Sequence, residues 1–288
     1  MATKKLNKIK RLIKVTISLL ALFYARVANG LLTLAGKKPR ATCVVLYYHA
    51  VSTVDRRQFA WQMDELLRLT TPIAASNRQD LKPGLNYAAV TFDDAVQSVV
   101  VNAIPELLLR NIPATIFVVV NFVGGTPKWA TYGPEYDDQD RIITLEQLKS
   151  LREDLFTIGS HTLSHQWLPS LSESEARIEL MGSRNNLGAL LDREIKLFSF
   201  PYGAMSDELV TWCEQAGYER VFTIVPTHAF SDAREFVSGR ITADPGDWRL
   251  EFRLKLLGAY QWLHLVYRFK KTFLSKSLIR KPKLSKVF

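Results

Sequence analysis

Two cysteines in 288 residues, Cys43 and Cys213, exclude a disulfide-stapled scaffold and a four-cysteine zinc module. Histidine is also scarce, five in the chain, so any pair at ligand spacing stands out. No uncharged run reaches the length of a membrane span. The stretch Val15–Ala25 holds eleven such residues, against about 20 needed to cross roughly 30 Å of hydrocarbon. That excludes a polytopic membrane protein. An apolar fraction of 47% with 23% charged residues excludes a wholly disordered chain and a collagen-like fibre. Internal repeats and low-complexity tracts are absent, and the length suits one large domain or two small ones. Acidic residues are missing from residues 1–40, which carry ten Lys/Arg, and residues 249–288 hold eleven Lys/Arg against the single acid Glu251. The net charge of +10 therefore divides into +20 at the ends and −10 over residues 41–248. A basic face continuous enough for nucleic acid is excluded by that acidic body. The ends read instead as segments that touch an anionic surface.

Within the first segment Leu6, Ile9, Ile13, Ile17, Leu20, Tyr24, Val27, Leu31 and Leu34 recur at steps of three and four, one stripe of a helix. The sequence Ala25-Arg26-Val27-Ala28 puts Arg where a signal-peptidase site needs a small residue, which favours an uncleaved interfacial helix over a cleaved signal. A helix packed on its own domain is the alternative. At the other end Phe252, Leu256, Leu257, Tyr260, Leu263, Val266, Tyr267 and Phe269 interleave with Arg253, Lys255, Arg268, Lys270 and Lys271, and the rings of Trp262 and Tyr267 suit headgroup depth. An anionic membrane surface is the expected partner, the cytoplasmic face favoured over the outer one. A signal anchor would reverse that side, and the oligomeric state has no signature in the sequence.

Between the ends, short apolar runs alternate with helical patterns. Strands are expected at Cys43–Tyr48, Ala88–Phe92, Ala114–Val120, Phe156–Ile158, Lys196–Phe200 and Arg220–Ile224. Helices are expected at Arg57–Leu69, Ala95–Leu109, Leu145–Arg152, Ser172–Leu191 and Ser206–Ala216, with Ser172 and Glu175 forming a capping box. Strand–helix alternation predicts an α/β fold of parallel β/α units, six or seven of them fitting a barrel-like sheet. The division expected is a basic membrane-associating segment over 1–40, a catalytic domain over 41–248 and a basic helix and tail over 249–288.

Chemistry gathers at the predicted strand exits, where parallel barrels place their sites. Val90-Thr91-Phe92 runs into Asp93-Asp94, Ile158-Gly159-Ser160 into His161 and His165, Phe198-Ser199-Phe200 into Pro201-Tyr202-Gly203, and Cys43–Tyr48 into His49. Two His and a carboxylate can hold a divalent metal with open positions, and a second carboxylate can take a proton. Taken singly, an Asp-Asp pair also suits a helix cap and Pro-Tyr a turn. Their occurrence together at consecutive exits points to a metal-assisted hydrolase.

Thr91-Phe92-Asp93-Asp94, His161-Thr162 with His165 behind Gly159-Ser160, and Phe198-Ser199-Phe200-Pro201-Tyr202-Gly203 together resemble the motifs of the polysaccharide deacetylases, the NodB-homology or carbohydrate esterase family 4 group. Leu46-Tyr47-Tyr48-His49 and Gly239-Arg240-Ile241 resemble one branch of it, and the likeness spans roughly residues 41–245. The resemblance implies a distorted (β/α)7 barrel and a divalent metal, Zn²⁺ expected, held by Asp94, His161 and His165. It implies Asp93 as general base, the Tyr202 backbone N–H facing the oxyanion, and Pro201 with Tyr202 lining the substrate. Two departures matter. Many relatives carry Arg where this chain has Ser199, and Arg240 could supply that charge beside Asp93. No histidine follows Asp247-Trp248 until His264, so His49 is the candidate general acid, with His228 second. The implied activity is removal of N-acetyl groups from amino sugars of a polysaccharide or lipid-linked glycan. An O-acetyl esterase and a non-catalytic glycan-binding relative are the alternatives.

Overall fold

The computed structural model describes residues 2–129 and 140–274, with side chains over 8–129 and 140–269. The elements in chain order are α1 (Ala2–Leu34), β1 (Thr42–Tyr48), α2 (Arg56–Leu69), β2 (Thr71–Pro72), β3 (Asn86–Phe92), α3 (Ile104–Leu109), β4 (Ala114–Val118), α4 (Leu145–Ser150), β5 (Phe156–Ser160), α5 (Glu173–Arg177), α6 (Ser183–Leu191), β6 (Leu197–Ser199), α7 (Asp207–Gln215), β7 (Arg220–Phe222), β8 (Val237–Ser238), β9 (Ile241–Thr242), α8 (Arg249–Leu256) and α9 (Leu263–Leu274). The strand–helix alternation of the sequence thus becomes a parallel sheet in the order β8-β7-β6-β5-β4-β3-β1-β9, with β2 beside β3.

Among the described residues seven strand positions line the barrel, because β8 and β9 are one interrupted seventh position. β8 pairs with β7 and β9 with β1, both in parallel, and only Gly239 and Arg240 lie between them. That closing segment is missing from the expected strands, since two-residue pairings leave no period to read. Its interruption has a steric cause. A Cβ at Gly239 would meet Thr227 Oγ1 at 2.1 Å and the Val225 carbonyl oxygen at 2.3 Å, so only glycine lets the two backbones approach.

Alternation along the strands fills the barrel. Val45, Ala89, Phe117, Leu197 and Phe222 form a compact interior cluster, and two residues on along β3 and β6 come Thr91 and Ser199, both fully buried. The outer face carries the larger apolar core, including Tyr48 and Phe92 beneath Phe59 of α2. The predicted helices form with trimmed ends. The one expected from Ala95 starts only at a wide turn over Val99–Ala103, because Asp94 and Ala95 take left-handed φ values of 66° and 56°. The run from Ser172 carries its capping box as read, and a wide turn over Ile178–Gly182 interrupts it. Residues 275–288, expected as part of the basic tail, lie outside the described residues.

Helix α1 corrects the expected stripe. The face against the body is Arg11, Val15, Ser18 and Leu22, whereas Ile13, Leu20, Tyr24 and Leu31 point outward. One polar position, Ser18, is buried because it accepts the Trp262 indole N–H at 3.0 Å. Counting uncharged residues also understated its reach. Lys8–Leu34, 27 residues, is continuous and by length and composition apolar enough to cross a membrane.

Candidate active site

Period-two alternation carries Asp93 inward from β3 and His161 inward from β5, one pleat beyond Thr91 and Gly159. Backbone bonds fix both exits: Asp93 N–H donates to the Tyr48 carbonyl at 2.9 Å and His161 N–H to that of Val118 at 2.8 Å. The left-handed turn at Asp94 then swings its carboxylate toward the β5 exit. Ligand atoms of Asp94, His161 and His165 lie within 4.8 Å of one another, and all three side chains are buried.

Asp94 Oδ1 faces His165 Nε2 at 3.2 Å and His161 Nε2 at 3.7 Å, yet no described donor completes a hydrogen bond to it. The same His161 ring donates from Nδ1 to the Ser199 carbonyl at 2.8 Å, which leaves Nε2 with its lone pair toward Asp94. Burial pushes the His161 pKa down to about 4, against the pull of Asp93 and Asp94, so the ring is neutral at pH 7. A buried carboxylate oxygen without a donor, beside neutral imidazole nitrogen, is the donor set of a divalent cation. The residues fit such an ion.

The loop between the histidines is held from beneath. Glu179 accepts the backbone N–H groups of Leu163 and Ser164, each at 2.9 Å, and the Ser164 hydroxyl. Thr162 Oγ1 accepts the His165 N–H at 2.9 Å, and both Thr162 and His165 take left-handed φ. Glu179, which holds this loop, is a residue the sequence reading missed. It sits in an ordinary helical run, where no spacing marks which glutamate turns inward.

Asp93 has a different environment. Arg240, fully buried between β8 and β9, donates to Asp93 Oδ1 and Oδ2 at 2.8 Å each, and also to Ser199 Oγ at 2.7 Å and Thr91 Oγ1 at 3.1 Å. Desolvation pushes the Asp93 carboxyl upward, but the Arg240 charge overrides it and the net shift is downward. The structure thus places Arg240 where the sequence suggested it could stand in, with Ser199 vacating the space and supplying an acceptor.

The remaining candidates separate. Pro201 is buried and Tyr202 turns left-handed at φ 59°, with its half-exposed ring edge-on to His165 at 4.7 Å. Trp129 stacks on His165 at 4.5 Å and Trp167 flanks Tyr202 at 5.8 Å, two aromatic walls the sequence reading did not single out. His49 lies half-buried at the β1 exit beside the Asp93 exit. His228 lies elsewhere. It packs on Gly258 and the backbone of Cys43, near the start of β1 and so at the opposite end of the barrel. Asp247 and Trp248 are engaged by the N-terminal helix: Arg11 lies 3.6 Å from Asp247 and over the Trp248 ring at 4.5 Å.

Fold and site define an α/β barrel protein with a buried Asp–His–His cluster next to an arginine-clamped aspartate at the strand exits. The family model for polysaccharide deacetylases matches residues 81–221 of this chain. It is 26% identical over 221 residues to YxkH of Bacillus subtilis (strain 168), named as a polysaccharide deacetylase, covering 73% of this chain and 74% of that one. It is 26% identical over 154 residues to the poly-beta-1,6-N-acetyl-D-glucosamine N-deacetylase of Staphylococcus epidermidis, 53% of each chain. Among solved structures, IcaB from Ammonifex degensii shares the fold at a TM-score of 0.62 and 24% identity, covering 77% of this chain and 99% of that one.

Proposed function

We propose that the protein is a divalent-metal-dependent hydrolase that removes N-acetyl groups from amino sugars of a polysaccharide or lipid-linked glycan. The observation that carries this reading is the adjacency of two unlike aspartates. Asp94 is open toward two imidazoles, while Asp93 is ionised and clamped by Arg240. Neighbouring carboxylates whose surroundings differ this much suit a division between holding an ion and moving a proton. The amide preference is supported by the name of the staphylococcal relative.

Asp94, His161 and His165 would hold the ion, Zn²⁺ fitting three such ligands with a position left open. Such an ion supplies Lewis acidity, several kcal/mol of charge stabilisation at a carbonyl oxygen. Asp93 accepts the proton of the attacking water on a carboxylate oxygen; each oxygen keeps a lone pair after bonding Arg240. The oxygen of that water bonds to the acetyl carbon, and the turn at Tyr202 presents its backbone N–H to the resulting oxyanion. His49 gives a proton to the amine as the C–N bond breaks. Acetate and the free amino sugar leave, and the proton on Asp93 returns to solvent as His49 regains one. Pro201, Tyr202, Trp129 and Trp167 wall the space a sugar ring would enter.

Acetate release from a panel of N- and O-acetylated glycans, with and without chelator, tests the reading. Chelator-sensitive release from N-acetylated sugars is expected. Release from O-acetyl esters alone makes the protein an esterase, and no release from any metal-replete sample makes it a binding relative.

A further inference from the structure

Away from the barrel, α1 and α9 carry exposed apolar side chains. From Phe23 onward every α1 side chain is exposed except the half-covered Ala28, although Phe23, Tyr24, Val27 and Leu31 are large and apolar. Tyr24 is 76% exposed and Leu20 66%. On α9, Leu265, Val266 and Tyr267 are likewise exposed. The Trp262–Ser18 hydrogen bond ties the residue that precedes α9 to the middle of α1. Soluble monomers rarely show a contiguous apolar surface of this kind without a partner for it.

Charge selects the partner. Residues 1–40 carry ten Lys/Arg and no acid, and residues 252–288 carry ten more and no acid. A second copy seated on this face by a two-fold axis would set like charge against like. An anionic lipid surface instead satisfies both features at once, headgroups taking the cations and acyl chains the apolar side chains. We propose that the outward face of α1 and α9 seats the protein on an anionic lipid bilayer.

The geometry also orients the catalytic mouth. Arg11 donates to the Gly246 carbonyl at 2.9 Å and pairs with Glu251, and Gly246 follows the exit of β9, at the same end as His49 and Asp93. The chain after Leu34 must return to Thr42, at the entrance of β1, so α1 runs against the strands. From Arg11 to Leu34 is about 35 Å of helix, whereas seven-residue β1 spans about 23 Å, so the apolar end of α1 overhangs the barrel. Lys8 and Lys10 are exposed at the mouth end. With α1 on the bilayer, the mouth opens along its surface, level with the headgroups. A glycan still attached to a lipid is the substrate form such a placement serves; that step rests on the deacetylase reading above, whereas the lipid contact does not.

The test is co-sedimentation of the full chain with vesicles of phosphatidylcholine, with and without phosphatidylglycerol, at low and high salt. Binding at least about ten-fold stronger to the anionic vesicles is expected at low salt, with part of the protein retained at high salt, since apolar burial is not screened. The double variant Leu20→Glu/Tyr24→Glu, at positions that touch neither barrel nor site, should lose about ten-fold in binding. Leu265→Glu should lose binding independently, and both should keep full acetate release from a soluble N-acetylated oligosaccharide. Turnover of a vesicle-borne N-acetylated glycolipid should fall with binding. Failure to bind anionic vesicles at low salt overturns the proposal, as does binding that ignores both variants. A dimer in sedimentation velocity that Leu20→Glu/Tyr24→Glu dissolves, without vesicle binding, assigns the face to a second copy. Vesicle binding without hydrolysis of any substrate overturns the deacetylase reading alone.

Discussion

At the scale of single residues, the adjacent aspartates carry the sharpest expectations. Asp93→Asn keeps the shape and loses the proton acceptor. It should retain metal and lose at least about 100-fold in kcat, the usual worth of a general base. Asp94→Asn removes the anionic ligand and should bind less metal. Elemental analysis beside steady-state rates checks both, and exchanged phenotypes would reverse the two roles. Arg240 is a different case. Its guanidinium is wholly buried and holds both Asp93 oxygens. Arg240→Ala therefore strands a buried carboxylate, at a cost of about 3–5 kcal/mol in stability, read by denaturant unfolding. Gly239→Ala should act through the same residue, because the added carbon cannot fit against Val225 and Thr227 and must shift the segment that presents Arg240.

At the scale of elements, the metal loop depends on the helical run beneath it. Glu179 satisfies two consecutive N–H groups of the segment between His161 and His165, so Glu179→Ala should lower metal affinity about 10- to 100-fold, the common effect of removing a group that orients ligands. Competition with a chromogenic chelator measures it, and Glu179→Gln should recover part of the loss. A second expectation concerns α2 and α8. Arg68 and then Arg253 hold the Glu65 carboxyl down to about 2, from an ordinary 4.5. A depressed acid stabilises the fold above its unfolded pKa. That contribution is complete above about pH 4.5 and fades as pH falls toward 2. Tm followed across this window should decline less steeply in Glu65→Gln than in the parent.

At the scale of the whole molecule, α1, proposed as the lipid-facing surface, is also part of the packing. Arg11 answers the buried Asp247 and Glu251, beside Lys255 at 2.6 Å from Asp247. Removing residues 1–40 should therefore cost more than membrane contact. Leaving that cluster short of a partner costs about 2 kcal/mol, or roughly 4–8 °C in Tm for a chain of this size. Calorimetry of the truncated chain checks it, and an unchanged Tm would show that α1 rests on the body without supporting it.

The sequence by itself determined the barrel class, the strand exits and the residues standing there, because period-two alternation, helix caps and ligand spacing are local properties of a chain. Asp93, Asp94, His161 and His165 were legible for that reason. Only the tertiary structure decided what depends on distant parts of the chain meeting. Two-residue strands β8 and β9 carry no readable period, yet their pairing with β7 and β1 delivers Arg240 to Asp93 from 147 positions away. Glu179 differs from its neighbours only in facing a loop sixteen residues earlier. The stripe on α1 was read correctly as apolar, but which face turns inward was set by Arg11 and Ser18 finding Glu251 and Trp262 about 240 residues on. Hydropathy ranks side chains by their cost in water; it does not say which of them another part of the fold will reach.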